Sequence, residues 1–500
     1  MNKMKKTFAY LALSGVLALA SCTNLDEQAF GVVPTEGFGN TPGQLAALLG
    51  PAYSRMRDYT WHMHNAEVVT DVGLVPTRGK DWYDGGNWLN YNRHAWTTTH
   101  GPINDMWGFI YEGGVGTINK LITQVAGNTN AVAELRAVRA FYYFLAIDYF
   151  GNVPLITEKS TGSATTTPRA QVYAFIEKEL MEAMPNLSDV VGGANYGRIN
   201  KLTAQTILAK LYLNAGVYKG APEWQKCIDA CNVVINSGKY KLEPAYLSNF
   251  AVRNEVSGEN IWALPFDRVQ AGGMNIHMRT LHYQSQSTYN LPGQPWNGFC
   301  TIADFYNSFS STDVRRNMFI AGPQFGADGK PLKDDNGKDL DFNPNMTKDE
   351  MTSADPEFQG AGVRLGKYEI QRGTTVNDQD NDWAMFRLAD VHLMRGESLF
   401  RLGNVAGGLV DFNAIRARAG VPAWTAAQMT PDNMLAERGR ELAWEAWRRN
   451  DLVRFGEFNK VGGKFTSRFM KEGSAKTLLF PIPQQRRDTN PGLTQNPGYN

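Results

Sequence analysis

"AVAELRAVRAFYYFLAIDYFG", residues 131–151, is the stretch on which the fold turns. Leu135, Val138, Phe141, Tyr142 and Leu145 recur at helical spacing, and Gly151 stops the run. Working outward, "INDMWGFIYEGGVGTINKLITQV" (103–125) reads as a helix with glycine breaks. "RAQVYAFIEKELMEAMPNL" begins a helix after Pro168. "NKLTAQTILAKLYLNAGVY" (200–218) and "PEWQKCIDACNVVINSGKY" (222–240) close a first helical block over about 103–238. A second block, about 382–456, holds "DWAMFRLADVHLMRGESLFRLG", "NVAGGLVDFNAIRARAG" and "PDNMLAERGRELAWEAWRRNDLVRFG". Paired helices joined by short Gly or Asn turns resemble tetratricopeptide repeats, which stack into a scaffold. Between the blocks, 241–381 is polar and rich in Gly and Asn, with short possible strands at "NIWALPF" and "GVRLGKYEI". The reading is a mainly α fold, with helix pairs from both sides of a loop-rich insert; loops on a rigid frame are where binding sites usually sit.

The chain opens MNKMKKTFAYLALSGVLALASC. Lys3, Lys5 and Lys6 precede an apolar run, Phe8 to Ala20, of secretory-signal length and too short for a membrane span. Leu19-Ala20-Ser21-Cys22 resembles a lipobox, which predicts a signal peptide over 1–21 and lipidation at Cys22. Asp26 and Glu27 follow closely, an acidic pair that resembles the surface-export signal of Bacteroidota lipoproteins. The expected location is therefore the outer membrane, attached through lipid and facing outward. A net charge of +1 argues against a nucleic-acid surface. Besides Cys22 there are only Cys227, Cys231 and Cys300, too few for a disulfide scaffold. Cys227 and Cys231, four apart, read as buried small hydrophobes.

Three motifs carry a family resemblance. They are "LRAVRAFYYFLAIDYFGNVPLI" (135–156), "ERGRELAWEAWRRNDLVRFGEF" (437–458) and "LLFPIPQQRRDTNPGLTQNPGY" (478–499). With the lipobox they resemble, in order along the whole chain, the SusD/RagB family of outer-membrane nutrient-binding lipoproteins. The resemblance implies a SusD-like fold with a tetratricopeptide-like scaffold. It implies a surface glycan-binding lid over a SusC-type TonB-dependent transporter, with an N-terminal region (22–240) and a C-terminal region (241–500). The motif residues themselves are expected to be structural. Arg139 and Asp148 each cap or pair within the helical frame, and Glu437, Arg438, Glu441, Glu445, Arg448, Arg449, Asp451 and Arg454 form an ion-pair network within and between helices.

The stretch "PTRGKDWYDGGNWLNYNRHAW" (76–96), within the aromatic loop 58–100, has no apolar periodicity yet holds Trp82, Tyr83, Trp88, Tyr91 and Trp96. An aromatic ring stacks on the C–H face of a sugar, and the hydroxyl rim needs polar partners. Trp82, Tyr83 and Trp96 are the candidate stacking rings; Asp71, Arg78 and Asn92 are the candidate hydroxyl partners. A second cluster, "LHYQSQSTYNLPGQPWNGF" (281–299), offers Tyr283, Tyr289 and Trp296, with Trp296 as an opposing platform. Some of these rings are expected to be loop core.

No Gly-x-Ser-x-Gly, His-Glu-x-x-His or P-loop occurs, and the resemblance implies no catalysis. No cofactor is expected. The oxygen-rich "KDDNGKDLDFN" (333–343) leaves calcium open, but it lacks calcium-loop spacing and reads as an exposed hairpin or loop. Three further readings stand beside glycan binding. They are a peptide-binding RagB-like member, a surface glycan-degrading enzyme with two carboxylates roughly 5–10 Å apart, and a tetratricopeptide adaptor.

Overall fold

Residues 131–150 form a helix with apolar side chains on every side and only four charged ones, Glu134, Arg136, Arg139 and Asp148, and such a helix must be buried nearly all round. The computed structural model describes residues 41–499; the lipobox and Cys22 lie outside the described residues. From Leu48 onward the chain forms one compact unit. Its main elements are helices α1 (Tyr59–Val68), α2 (Thr129–Phe150), α3 (Arg169–Ala183), α4 (Lys201–Leu213) and α5 (Trp224–Asn236). Strands β1 (Asn260–Leu264) and β2 (Trp383–Arg387) follow. Then come α6 (Leu388–Arg401), α7 (Val405–Arg418), α8 (Pro431–Leu442) and α9 (Arg448–Phe455).

The helices stack in sequence: α2 on α3, α4 on α5, α6 on α7. The two blocks join where α5 packs against α6, so the insert leaves and re-enters one continuous frame. Its exit and entry are stitched together by the antiparallel pairing of β1 with β2. Short side-chain caps start several helices: Asn128, Asn200, Asn404 and Thr430 each accept a backbone N–H of the first turn. Nearly every residue of α2 from Ala131 to Phe150 is buried. Phe141 meets Trp262 edge-on at 5.0 Å, and Phe386 stacks on Trp447 at 5.0 Å.

The three motifs of the resemblance converge on one knot. Asp148 of α2 accepts from Tyr218 and Asn450, both at 2.8 Å, and pairs with Arg449 at 3.3 Å. The Arg449 guanidinium lies over Tyr149 and Phe480 and donates to the Leu478 carbonyl at 2.7 Å. Asn496 ties the carbonyls of Phe150 and Phe480 at 2.8 and 2.7 Å. Arg139 pairs with Glu179 and Glu158, both at 2.5 Å. Arg438 bridges Asp390 and Asp451, and Arg454 bridges Glu397 and Asp451. Arg387 joins Glu259, Glu441 and Glu445. The conspicuous charges of these motifs are therefore internal to the frame, as the sequence predicts.

Three local readings are corrected. The glycines of 103–125 do not break the helix. Gly108 ends one α-helical stretch, and Gly113, Gly114 and Gly116 fall in the π-helical stretch Phe109–Gly116 that continues it, where a Cβ on Gly114 would sit 2.4 Å from the ring of Tyr142. Residues 383–387 are strand, because they are claimed by β1. The single helix read over 431–456 is two, α8 and α9, parted by a turn with Trp444 at φ +61° and Ala446 at φ +66°.

The oxygen-rich segment is a hairpin. Gly322–Pro323 pairs with Asp341–Phe342, and Asp334 Oδ1 accepts from the backbone N–H groups of Asn336 and Lys338. Asp339 pairs with Lys333 and Asp328 with Lys330. Cys227, Cys231 and Cys300 are buried free thiols.

Candidate functional site

From the end of α1 the chain leaves the frame and is sewn to the insert. Leu74 and Cys300 exchange backbone hydrogen bonds at 2.9 and 3.0 Å, and Thr77–Arg78 pairs with Glu350–Met351. Arg78 closes a tight turn with Asp81. Beyond it Trp82 (φ +57°) and Asp84 (φ +41°) stand in the left-handed region that side chains disfavour, followed by Gly85 and Gly86. Strain of this kind, of order 1–3 kcal/mol per residue, persists only where surrounding contacts impose it. Here the contact is the Trp82 indole. Its Nε1 donates to the Trp296 carbonyl at 2.6 Å, and its ring lies edge-on to Phe299 at 5.3 Å and Trp88 at 5.6 Å. It fills the space over Gly298, where a Cβ would meet the indole at 2.4 Å.

The two aromatic clusters of the sequence are thus brought together. Asp81, Trp82 and Asp84 from one loop and Tyr283, Gln294, Pro295 and Trp296 from the other line an open cleft of about 480 Å³. That lies within the usual range of ligand sites. Trp296 rests its inner side on the apolar cluster of Met278, Leu281 and Leu291. The Tyr283 hydroxyl donates to Asp81 Oδ2, and Trp88 Nε1 donates to Asp84 Oδ2 at 2.7 Å. Burial, and then the Asp81 carboxylate, push the Tyr283 phenol above its ordinary range and keep it a donor. Trp82, Tyr283 and Trp296 are half-buried, so each is anchored and still reaches solvent.

Six of the nine candidate residues lie outside this cleft, and for the four that are buried the assignment to ligand is corrected. Trp96 is 3% exposed; its Nε1 donates to the Tyr499 hydroxyl at 2.7 Å and its ring packs edge-on to Phe480. It pins the loop to the C-terminal segment. Asp71 is buried in a two-pronged pair with Arg448, both contacts at 2.7 Å. Arg78 is 2% exposed and donates to the carbonyls of Asn297, Phe358 and Ala361. Asn92 is buried beside Asp349.

Tyr83 is 51% exposed but does not line the cleft. Tyr289 lies under the Arg372 guanidinium, 4.8 Å from its ring centre, on a separate groove with Ile320 and Ile370. Asp81 and Asp84 are site residues that the sequence reading does not single out. Their signal was position, on both sides of Trp82-Tyr83 and just before two glycines. Gln294 and Pro295 carried no signal.

Among the described residues no group of three or more His, Cys, Asp or Glu side chains is arranged to hold a metal ion. His62 stacks on Phe109 at 4.7 Å, and burial, then Arg279, lower its pKa to about 4. No helix among the described residues is long and apolar enough to cross a membrane.

The helical frame thus carries an aromatic cleft on its loops. The SusD family profile matches residues 258–499, and a profile described as starch-binding, associating with the outer membrane, matches 47–213. The chain belongs to the SusD/RagB family. That family is one of carbohydrate-binding proteins, and the chain is not an enzyme. The starch-binding protein SusD of Bacteroides thetaiotaomicron is 28% identical over 429 residues, 76% of each chain. Surface glycan-binding protein A of the same organism superposes with a TM-score of 0.74 at 21% identity, over 92% of this chain and 100% of that one. Its complex with laminarihexaose gives a TM-score of 0.73 at 21% identity, over 91% and 99%.

Proposed function

We propose that this protein captures an oligo- or polysaccharide at the cell surface and passes it to a SusC-type TonB-dependent transporter for import. A lipid on Cys22 holds it to the outer membrane. The observation that carries the reading is the cleft, where Trp82 and Trp296 stand with Tyr283 among two carboxylates and an amide. Rings offer the C–H face of a sugar a surface, and Asp81, Asp84 and Gln294 offer its hydroxyl rim acceptors and a donor. The cleft is open, which suits an internal stretch of a long chain. Each stacked ring is worth about 0.5–1.5 kcal/mol beyond area burial, and each hydroxyl bond about 1 kcal/mol net. Binding is accordingly micromolar to millimolar, weak enough to release cargo. The relatives' names support the ligand class: one is called starch-binding, and a structural neighbour was solved with laminarihexaose.

The test is calorimetry or affinity electrophoresis of the purified protein against a polysaccharide panel, with co-purification against a SusC-type transporter. Saturable binding to a glycan and recovery with the transporter support the reading. A folded protein that binds no glycan refutes the ligand class, and failure to associate refutes the hand-over.

A further inference from the structure

The charge of the cleft narrows its ligand class. Among the groups that line it, Asp81 and Asp84 are acidic, and no Lys or Arg lines it. The cation beneath, Arg78, is buried with its donors engaged by three backbone carbonyls, so it offers an anionic ligand no hydrogen bond, although its charge reaches Tyr283 and offsets part of the acidic field. Lys80 is exposed in the turn before Asp81 but lies outside the lining. Each carboxylate is tied through one oxygen, Asp81 Oδ2 by Tyr283 and Asp84 Oδ2 by Trp88. The ties leave each Oδ1 to accept from a sugar hydroxyl. The backbone adds rigidity, because Trp82 and Asp84 both stand at positive φ. The carboxylates themselves are held by their bonds to Tyr283 and Trp88, and turning away from an incoming charge would break those bonds.

We propose that the cleft, granted the glycan reading above, selects uncharged glycans. Asp81 and Asp84 reject chains that carry uronate carboxylates or sulfate esters. A neutral hydroxyl meets a carboxylate in a charge-assisted bond, stronger than a neutral one. An anionic substituent meets two fixed like charges in a shallow, partly screened site. Repulsion by the two carboxylates disfavours it about tenfold at low salt, and added salt weakens the effect.

The experiment uses the purified protein with matched polymers: starch, hydroxyethyl starch and carboxymethyl starch, laminarin and laminarin sulfate, dextran and dextran sulfate. Affinities are measured at low and at high salt. At least one uncharged polymer binds, and its anionic derivative binds about tenfold more weakly at low salt, a gap that narrows as salt rises. Hydroxyethyl starch, bulky but neutral, controls for size. The double variant Asp81→Asn with Asp84→Asn keeps both ties through its amide oxygens. It narrows the gap to within about threefold and weakens the neutral polymer severalfold.

Equal binding of an anionic derivative and its parent overturns the inference and leaves the glycan reading standing. So does a full gap retained by the double variant, or an equal loss with hydroxyethyl starch. A folded wild type that binds none of the polymers overturns the glycan reading itself.

Discussion

Gly298 has no side chain, and the Trp82 indole occupies the space one would fill. Gly298→Ala must therefore displace that ring. We expect glycan affinity to fall severalfold to tenfold, with about 1–3 kcal/mol of stability lost to overpacking; calorimetry and urea unfolding on the same sample check both. Trp96 makes the opposite case. Its ring is buried against Phe480 and Tyr91 and bonded to Tyr499. Trp96→Ala should cost about 3–5 kcal/mol in denaturant unfolding while the folded fraction keeps its glycan affinity. An affinity loss without a stability loss would return Trp96 to the site. The two tryptophans stand fourteen residues apart, on either side of the short helix Asn87–Asn92, and sequence does not separate them. What divides them is the partner each finds: a carbonyl and a glycine of the 281–299 loop for Trp82, the C-terminal segment for Trp96. Those partners are more than two hundred residues away for Trp82 and about four hundred for Trp96, which is why the residue types are legible in the sequence and their exposure is not.

At the scale of elements, periodicity marks the helices well, since a buried helix and its Gly or Asn stops write themselves into local spacing. It fails where distant contacts decide. Trp383–Arg387 is apolar enough to read as the start of a helix, yet β1 claims it as a strand. The turn between α8 and α9 lies inside helix-forming sequence and exists because other elements hold it. Glu445 in that turn is bound by Lys367 and Arg387, and the Ala446 N–H donates to Glu67 of α1 at 2.6 Å. Burial raises the Glu67 pKa to about 8, against smaller opposing effects of the Ala446 N–H, Lys367 and Arg448. A raised folded pKa contributes stability below the unfolded value, about 4.3 for Glu. That contribution is lost as pH climbs towards 8. Glu67→Gln keeps the bond to Ala446 and cannot ionise. It should match the wild type near pH 4.5 and exceed it by about 2–4 kcal/mol at pH 8, measured by urea unfolding at both pH values. Equal stability at pH 8 would mean that Glu67 is ionised and satisfied in the native protein.

The whole molecule is a frame clamped by buried ion pairs, and its acid limit follows from them. Burial opposes ionisation of Glu437 and Glu441. The guanidiniums of Arg315, Arg440 and Arg416 around the first, and of Arg418, Arg387 and Arg315 around the second, overcome it and lower both pKa values to about 2. Asp451 is likewise held low against burial by Arg438 and Arg454. Depressed carboxylates contribute stability above their unfolded values, and it is lost as pH falls through the folded ones. Cooperative unfolding should therefore set in between about pH 4.5 and 2, followed by circular dichroism; full stability at pH 2 would show that the network contributes little. The cleft sits on loops carried by this frame, so frame and binding can be perturbed separately. The measurement that bears most directly on the function is glycan titration of Trp296→Ala beside Trp96→Ala, each with its unfolding curve. Trp296→Ala should stay folded and lose about tenfold to a hundredfold in affinity, while Trp96→Ala loses stability and binds normally when folded. The reverse pattern, with affinity kept in Trp296→Ala and lost in folded Trp96→Ala, would show that the cleft between the two loops is not where the glycan binds.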